Sequence, residues 1–396
     1  MSREKDKLAS PLYQTFPALD GVRAISILWV IFYHLPVSIP SWLTPLRNRG
    51  ELGVELFFSI SGFLVTRSLF QCIDKSRAGE RIPLLKTAKD FILRRVARIF
   101  PPYFLLLAFL LLIARFIDTS LLSKLAGIRE DFWMFPVFLS NYLVPISAHP
   151  VPDTLGITWS LAFEEQFYLI LLFMFLTVGS FSGIGFRRRL AAVIFGAGLA
   201  SIAMRLYLSF GRLESPVTIK EMQMFLHLRF DALSWACLSW FFFDRLGWLW
   251  KNPIRAFWVN VCLVFGIVLT VAGHHWFPES GPWQAFVYCL TGPIFTIAVR
   301  ALCETRYRES WIARLLSHPI SATIGMISYE IYLIHEIVIG TLVRAGLKSS
   351  PFLYGILAVV ISLGAAWLFH RCFSVPTQKW IRQKGGGSSQ SVRAYA

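Results

Sequence analysis

Charged residues are scarce in this chain, and their scarcity excludes most soluble proteins of its size. Only 16% of the 396 residues are Asp, Glu, Lys or Arg, whereas 55% are hydrophobic and 15% are aromatic. In soluble domains about a quarter of all residues are typically charged, because charged side chains cover the surface. The balance instead predicts an all-α, polytopic membrane protein.

Paired cysteines are also lacking. The six cysteines are scattered at Cys72, Cys237, Cys262, Cys289, Cys303 and Cys372. None are spaced as C-x-x-C, and none has histidine neighbours at the spacing of a zinc site. The pattern predicts free thiols, with neither a disulfide framework nor a metal site.

A cleavable secretory signal is not visible either, because the first apolar run follows a polar stretch and lacks an Ala-x-Ala-like site. No internal repeat and no appended soluble domain are evident. We therefore expect one membrane domain over residues 1–384. The Gly/Ser-rich tail that follows, residues 385–396, has the composition of a disordered segment.

Ten apolar stretches are long enough for membrane helices. They cover residues 24–40, 53–70, 99–117, 159–179, 190–210, 224–243, 256–273, 284–302, 320–343 and 351–370. A weaker segment at 132–146 contains Pro136 and Pro145. Its interruptions predict a re-entrant or interfacial piece, so the sequence indicates about ten transmembrane helices in total.

Lys and Arg collect in alternate connections between these spans. Arg3, Lys5 and Lys7 precede the first span, and eight basic residues lie between the second and third. The positive-inside rule places these connections and both termini in the cytoplasm. The net charge of +16 is thereby explained as a topology signal, so we expect membrane lipid and no nucleic acid as a partner.

Arg23 and His34 bracket the apolar segment AISILWVIFYH of the first span. Eleven residues make almost three helical turns, so both side chains fall on one face, about 16 Å apart along the axis. Ionisable residues inside a span are functional suspects, because lipid offers them no partner. His34 is a candidate general base, and a hydrogen bond that serves helix packing is the alternative.

Other polar residues are expected at the depth of His34, in the outer half of the membrane. They are Glu164, Glu165, Arg229, Asp231, Tyr332 and His335. A carboxylate beside a histidine supports general base catalysis. Candidates for stabilising an oxyanion or binding an acceptor are Arg229, Asp231, Tyr332, His335 and Glu165. Hydrogen bonds between helices are the alternative role for this group.

Arg94, Arg95 and Arg98 lie at the opposite pole, at the cytoplasmic start of the third span. Arg95 and Arg98 share a helix face at i and i+3 and are suited to bind phosphate groups. Ordinary anchoring of a cytoplasmic loop is the alternative, and the spacing alone favours neither interpretation.

Five sequence blocks occur together in the order of a known family. They are LDGVRAISILWVIFYH (19–34), GVELFFSISGFLV (53–65), RRVARIFPPY (94–103), TWSLAFEEQFYL (158–169) and ISYEIYLIH (327–335). In these blocks the chain resembles the integral-membrane acyltransferase family 3, which includes O-antigen and Nod-factor O-acetylases. The blocks extend over nearly the whole chain up to the tail.

The family's patterns fall on seven residues of this chain. They are Arg23 and His34 for Arg-x10-His, Arg95 and Arg98 for Arg-x-x-Arg, Glu164 for WSLxxE, and Ser61 and Gly62 for the SGF turn. HLRFDAL (227–233) resembles a motif of some members, although Ala236 stands where those often have glycine.

The resemblance implies an O-acyltransferase of the bacterial cytoplasmic membrane. Such an enzyme takes an acyl group, usually acetyl, from cytoplasmic acyl-CoA and needs no tightly bound cofactor. It passes the group to a hydroxyl of an extracytoplasmic or lipid-linked glycan.

The predicted mechanism divides this work between the two poles. Arg95 and Arg98, helped by Arg94, hold the CoA phosphates, and His34, oriented by Glu164, deprotonates the acceptor hydroxyl. Direct transfer is favoured, because no Cys or Ser is placed with a base; an acyl-His34 intermediate is the alternative. Arg23 lines the donor channel or holds the helix face of His34 in register.

Two other classes of function remain open. The intramembrane His, Glu and Asp side chains could form the proton relay of a transporter or flippase. The lack of an inverted repeat, and an arginine cluster at one mouth only, weigh against it. A membrane scaffold is the third possibility, but it has no need of ionisable residues at one depth.

Overall fold

The computed structural model describes residues 16–76, 84–116, 118–180, 186–210, 219–242, 247–276, 282–304, 310–346 and 351–385. These ranges contain helices and no β-strand, which confirms the predicted all-α class. The five cysteines whose side chains are described form no disulfide. The predicted disordered tail lies outside the described residues apart from Gly385.

Ten helices overlap the ten predicted spans, although several of their bounds differ. They are α1 Pro17–His34, α2 Glu51–Ser76, α3 Leu84–Phe116, α4 Trp159–Ser180, α5 Phe186–Phe210, α6 Asp231–Phe241, α7 Pro253–Trp276, α8 Pro282–Leu302, α9 Ser328–Arg344 and α10 Pro351–Phe369. Shorter helices connect them, and Val375–Lys384 follows α10 after a π-helical turn.

The polytopic membrane character is confirmed by the length and apolarity of these helices. Within the described ranges, seven helical segments are long and apolar enough to cross a membrane. An eighth span results if α9 is joined to helix Pro319–Met326, which meets it at a bend of 72°. The total of ten spans and the cytoplasmic termini stay predictions.

The predicted span 224–243 is not one continuous helix. α6 has 11 residues and follows the one-turn helix Leu226–Arg229. At 1.5 Å per residue α6 is about 16 Å long, roughly half the thickness of the hydrocarbon layer. This segment is therefore too short to cross a membrane alone.

The weaker segment at 132–146 also consists of short pieces. A 3₁₀ turn, Phe132–Met134, precedes helix Ser140–Ile146. Between them Phe138 has a φ of 57°, in the left-handed region that few residues other than glycine adopt. Its carbonyl accepts a hydrogen bond of 2.7 Å from Gln166 on α4, which stabilises the turn. Its position relative to the membrane stays a prediction.

α2 lies at the centre of the bundle and α7 at its edge. In the apolar stretch of α2 72% of residues are buried, against 17% in α7. α2 packs against both α1 and α6. Large apolar side chains such as Phe257 and Phe265 of α7 and Phe352 of α10 are exposed, as expected of faces that contact lipid. The predicted site residues on α1 and α2 thus belong to the interior.

Gly62 allows α2 to approach α6 closely. A Cβ atom at position 62 would lie 2.7 Å from the Leu233 carbonyl oxygen and 2.8 Å from the Ala236 Cβ. Both distances are shorter than van der Waals contact, and the carbonyl belongs to the backbone and has little freedom to move. A small residue at this position therefore serves helix packing.

Gly62→Ala is expected to lower the melting temperature of the purified protein by several degrees, because overpacking costs about 1–3 kcal/mol. Gly196→Ala in α5 is the matched control, since a Cβ there meets no atom within 4 Å. Thermal denaturation of both variants in one detergent measures the effect. Equal melting temperatures would show that the α2–α6 contact tolerates an added methyl group.

Candidate active site

A cavity of about 360 Å³ lies among α1, α2, α3, α4 and α9. Its lining includes six arginines, Arg23, Arg67, Arg94, Arg95, Arg98 and Arg382, and three carboxylates, Asp20, Glu164 and Glu165. We call it the arginine cavity. The surplus of three positive charges makes it attractive to a polyanion.

Contacts between helices hold two of these arginines in place. Arg94 of α3 donates a hydrogen bond of 3.1 Å to the Ser68 hydroxyl of α2. The Arg95 guanidinium lies 4.5 Å from the centroid of the Tyr168 ring. Tyr168 in turn donates a hydrogen bond of 2.7 Å to Glu164. Stacking occupies the face of a guanidinium and leaves its N–H edge for a ligand.

Arg23 enters the same cavity from α1. Its guanidinium donates to the Asp20 carboxylate, one turn earlier in the helix, at 2.7 Å. Arg98 lies within electrostatic range of both Arg23 and Arg95. Like charges repel at this separation, so an anion bound among the three guanidinium groups would stabilise them.

Glu164 and Glu165 also belong to the arginine cavity, and the predicted pairing of Glu164 with His34 is wrong. The prediction was wrong about the relative depth of these residues in the membrane. α3 has 33 residues and is about 50 Å long, more than a membrane requires. Arg95 and Arg98 lie near the middle of α3, at the level of Glu164, and not at the predicted cytoplasmic end of the helix.

A second cavity, of about 440 Å³, lies at the other end of α1. We call it the histidine cavity, because His34 lines it. Charged and hydroxyl side chains surround the histidine: Asp118, Ser120, Lys124, Asp153, Thr154, Glu336, Thr341 and Arg344. Arg344 pairs with Asp118 at 2.6 Å. Donors and acceptors of both signs suit a ligand that carries many hydroxyl groups.

Three helices connect the two cavities. α1, α3 and α9 each line the arginine cavity with residues from their N-terminal part and the histidine cavity with residues from their C-terminal part. On α1 these residues are Arg23 and His34, about 16 Å apart along the axis. The three helices therefore run in the same direction from one cavity to the other.

His34 has a carboxylate partner, and it is Glu336. The Nδ1 atom of His34 contacts a carboxylate oxygen of Glu336. The His34 side chain is 25% exposed and that of Glu336 is 8% exposed. A carboxylate at Nδ1 fixes the proton there and leaves the lone pair on Nε2, the arrangement of a general base.

Glu336 is not among the residues predicted from the sequence, although the sequence contains a signal for it. Glu336 directly follows His335, the last residue of the fifth family block, and lies inside a predicted span. A carboxylate in a span is a functional candidate by itself. The position of Glu336 some 300 residues after His34 gave no indication that the two side chains meet.

Tyr332 and His335 lie between the two cavities. The Tyr332 hydroxyl lines the arginine cavity, donates to the Ile157 carbonyl at 2.7 Å and is 2.8 Å from the Ser160 hydroxyl. The ring centroid of His335 is 5.6 Å from that of Tyr332 and 5.2 Å from that of His34. These two side chains, which we call the partition, thus connect the lining of the arginine cavity to His34 in the histidine cavity.

The predicted oxyanion role of Tyr332 does not fit this geometry, because its single hydroxyl proton is donated to the Ile157 carbonyl. Arg229 and Asp231 do not fit it either. Arg229 pairs with Glu55, and Asp231 pairs with Arg205 at 2.9 Å.

These four side chains are buried, and none of them is among the residues that line the two cavities. Mutual neutralisation explains how they are accommodated inside the bundle. Ser61 lines the arginine cavity as predicted, whereas its neighbour Gly62 faces α6. Donor binding by Ser61 therefore stays a prediction, whereas the position of Gly62 fits a role in helix packing.

Fold and cavities together define a polytopic membrane protein with a cationic cavity and a histidine–carboxylate pair at opposite ends of the same helices. A family model described as an acyltransferase domain, that of acyltransferase family 3, matches residues 16–371. The chain belongs to this family, and the resemblance is confirmed.

Named relatives are O-acetyltransferases. The peptidoglycan O-acetyltransferase OatA of Listeria monocytogenes is 27% identical over 379 residues, which cover 92% of this chain and 56% of the relative. A Bacillus subtilis protein provisionally named peptidoglycan O-acetyltransferase YrhL is 36% identical over 195 residues, 48% of this chain and 28% of the relative. The chain spans about half the length, or less, of these relatives. No solved structure matches it.

Proposed function

We propose that the protein is an O-acetyltransferase that takes an acetyl group from acetyl-CoA in the arginine cavity and transfers it to a glycan hydroxyl in the histidine cavity. The observation that carries the proposal is the placement of the two cavities. One offers a surplus of guanidinium groups and the other a base, at opposite ends of α1, α3 and α9. The names of the relatives support acetyl transfer to a glycan.

Coenzyme A suits the arginine cavity because it combines three phosphate groups with a long, narrow arm. Arg94, Arg95 and Arg98 bind the phosphates through charge-assisted hydrogen bonds. Arg382, from helix Val375–Lys384, adds a cation that the sequence did not single out. The pantetheine arm then lies along apolar residues of the same cavity, such as Phe58, with the thioester towards the partition.

The acceptor glycan occupies the histidine cavity, where carboxylates, cations and hydroxyl groups alternate. Such a lining binds neutral sugar hydroxyls as both donor and acceptor. The OatA relative is named for peptidoglycan, and a peptidoglycan strand is therefore the first acceptor to test.

In the transfer step, His34 Nε2 removes the proton of the acceptor hydroxyl as the oxygen attacks the thioester carbonyl carbon. The negative charge of Glu336 stabilises the imidazolium that forms. The carbon–sulfur bond then breaks, and the CoA thiolate takes the proton back from His34. The thioester carbonyl and the acceptor hydroxyl meet at the partition. Arg23 holds the donor near this point.

Arg98→Ala is expected to raise the KM for acetyl-CoA about 10- to 100-fold with a smaller change in kcat, because a hydrogen bond between charged groups contributes about 1.5–3 kcal/mol. Arg115→Ala is the matched control, since Arg115 is exposed near the far end of the same helix. Steady-state release of CoA measures both constants. If the Arg98→Ala and Arg115→Ala variants had the same KM for acetyl-CoA, Arg98 would not be a donor-binding residue.

Turnover of acetyl-CoA by the purified protein tests the proposed function against a transporter or scaffold. We expect CoA to be released faster when soluble peptidoglycan oligomers are added, because the acceptor hydroxyl consumes the acetyl group. A protein that neither binds nor consumes acetyl-CoA would contradict the proposal and favour the other two classes.

A further inference from the structure

We propose that His34, His335 and Glu336 form a binding site for a divalent transition metal, with zinc as the best match, and that the bound metal inhibits transfer. Each of the three residues offers one ligand atom, and the three atoms lie within 4.8 Å of one another. Two histidines and one carboxylate are the donor set of open zinc sites, in which water takes the fourth position.

His335 provides the strongest argument for a ligand. Its Nδ1 atom lies 2.7 Å from the Tyr332 carbonyl oxygen and 3.3 Å from that of Ile331. Carbonyl oxygens only accept hydrogen bonds, so Nδ1 carries the proton and Nε2 carries the lone pair. Metal-binding histidines characteristically donate their second nitrogen to a backbone carbonyl in this way.

The Nε2 atom of His335 is buried and forms no hydrogen bond within the described residues, and the whole residue is 0% exposed. A buried acceptor without a donor destabilises a protein, because it has lost its hydrogen bond to water and gained none in return. Coordination of a metal by this lone pair removes that cost. The ring of His34, at 5.2 Å between centroids, brings a second imidazole next to His335.

Zinc binds nitrogen and oxygen at about 2.0–2.2 Å, so ligand atoms of a tetrahedral site lie about 3.3–3.5 Å apart. The Glu336 carboxylate, now against His34, has to turn away from that ring to admit the ion. Because His34 and Glu336 line the histidine cavity, that cavity gives the ion its path and leaves room for a water ligand.

The sequence predicts no metal site, because it has no clustered cysteines and no histidine spacing typical of zinc. This proposal departs from that expectation. Its ligands come from the end of α1 and the middle of α9, and only the packing of these helices brings them together.

Inhibition follows from the chemistry of an imidazole. A metal on the Nε2 of His34 occupies the lone pair that would accept the hydroxyl proton. A metal on Nδ1 leaves the proton on Nε2, so that nitrogen is again no base. The inhibition rests on the proposed role of His34, whereas the binding of metal does not.

Cobalt(II) is the probe for binding, because its visible absorption reports tetrahedral coordination. The full-length protein, freed of any histidine tag and of bound metal by chelation, is titrated with Co²⁺ in detergent. We expect one equivalent to bind and Zn²⁺ to displace it. His335→Ala and Glu336→Gln should weaken binding about 100-fold or more, whereas the exposed His149→Ala should leave it unchanged.

The His335→Ala and Glu336→Gln variants are first compared with the parent protein by size-exclusion chromatography. Cobalt binding is then interpreted only for a variant that elutes at the parent volume. Unchanged affinity and spectrum in that variant would overturn the site. Release of CoA is then measured with chelator and with added Zn²⁺, and reversible loss of activity with Zn²⁺ is expected. Stimulation by Zn²⁺ would overturn the inhibition. Cobalt binding without any turnover of acetyl-CoA would instead uphold the site and refute the proposed function.

Discussion

His34→Ala is expected to lower kcat for acetyl transfer about 10³-fold, because general base catalysis typically contributes 10²- to 10⁴-fold. Binding of acetyl-CoA should change little, since His34 lines the histidine cavity, whereas we propose that the donor binds in the arginine cavity. Release of CoA in the presence of glycan gives the rate. Titration of the protein with an acetyl-CoA analogue that cannot transfer its acyl group gives the donor affinity separately.

The matched control for this prediction is His149→Ala, because His149 is exposed and lines neither cavity. That variant should retain the parent rate and donor affinity. Full transfer activity in a folded His34→Ala protein would exclude His34 as the base. A loss of donor binding together with activity would place His34 in the donor site instead.

Glu336→Gln is expected to lower kcat about 10²-fold with little change in KM for acetyl-CoA. The amide keeps the size of the side chain but loses the charge that stabilises the His34 imidazolium. Glu336→Asp restores that charge one methylene further away and should recover part of the rate. Steady-state kinetics of the two variants and of the parent protein measure the difference.

Glu164→Gln separates the two carboxylates proposed as partners of His34. Glu164 accepts a hydrogen bond from Tyr168 beside Arg95, so its loss should alter the KM for the donor more than kcat. The opposite result, a loss of kcat in Glu164→Gln with Glu336→Gln unaffected, would contradict the His34–Glu336 pair and restore the pairing predicted from the sequence.

Much of the fold could be predicted because membrane helices obey a local rule. About twenty apolar residues are needed to cross the hydrocarbon layer, and each such run in the chain overlaps a helix. α6 departs from the rule. Its apolar run includes Arg229 and Asp231, which take part in buried ion pairs with partners on other helices, and the helix there is broken.

The candidate site was predictable only in part, because it depends on depth and on contacts between distant segments. Arg95, Arg98 and His34 were identified from spacing and family blocks, and they lie at the two cavities. Glu164 was predicted to lie beside His34, far from the arginines. That prediction assumed that the third helix begins close to Arg98, at the start of its apolar run. α3 extends well beyond that run.

In the proposed mechanism the acetyl group moves parallel to α1, from the cavity lined by Arg23 to the cavity lined by His34. This mechanism requires the donor and the acceptor to approach from opposite faces of the membrane. A transferase with both substrates on one face of the membrane would use only one of the two cavities. The face on which the acetylated acceptor is found therefore distinguishes this arrangement from the proposed one.

Proteoliposomes provide the most direct measurement. Radiolabelled acetyl-CoA, which does not cross the bilayer, is added outside vesicles that enclose peptidoglycan oligomers, and distinguishable oligomers are supplied outside. The account predicts alkali-labile label on the enclosed oligomers, in vesicles with the parent protein and not with His34→Ala. Label confined to the oligomers outside, on the same face as the donor, would contradict it.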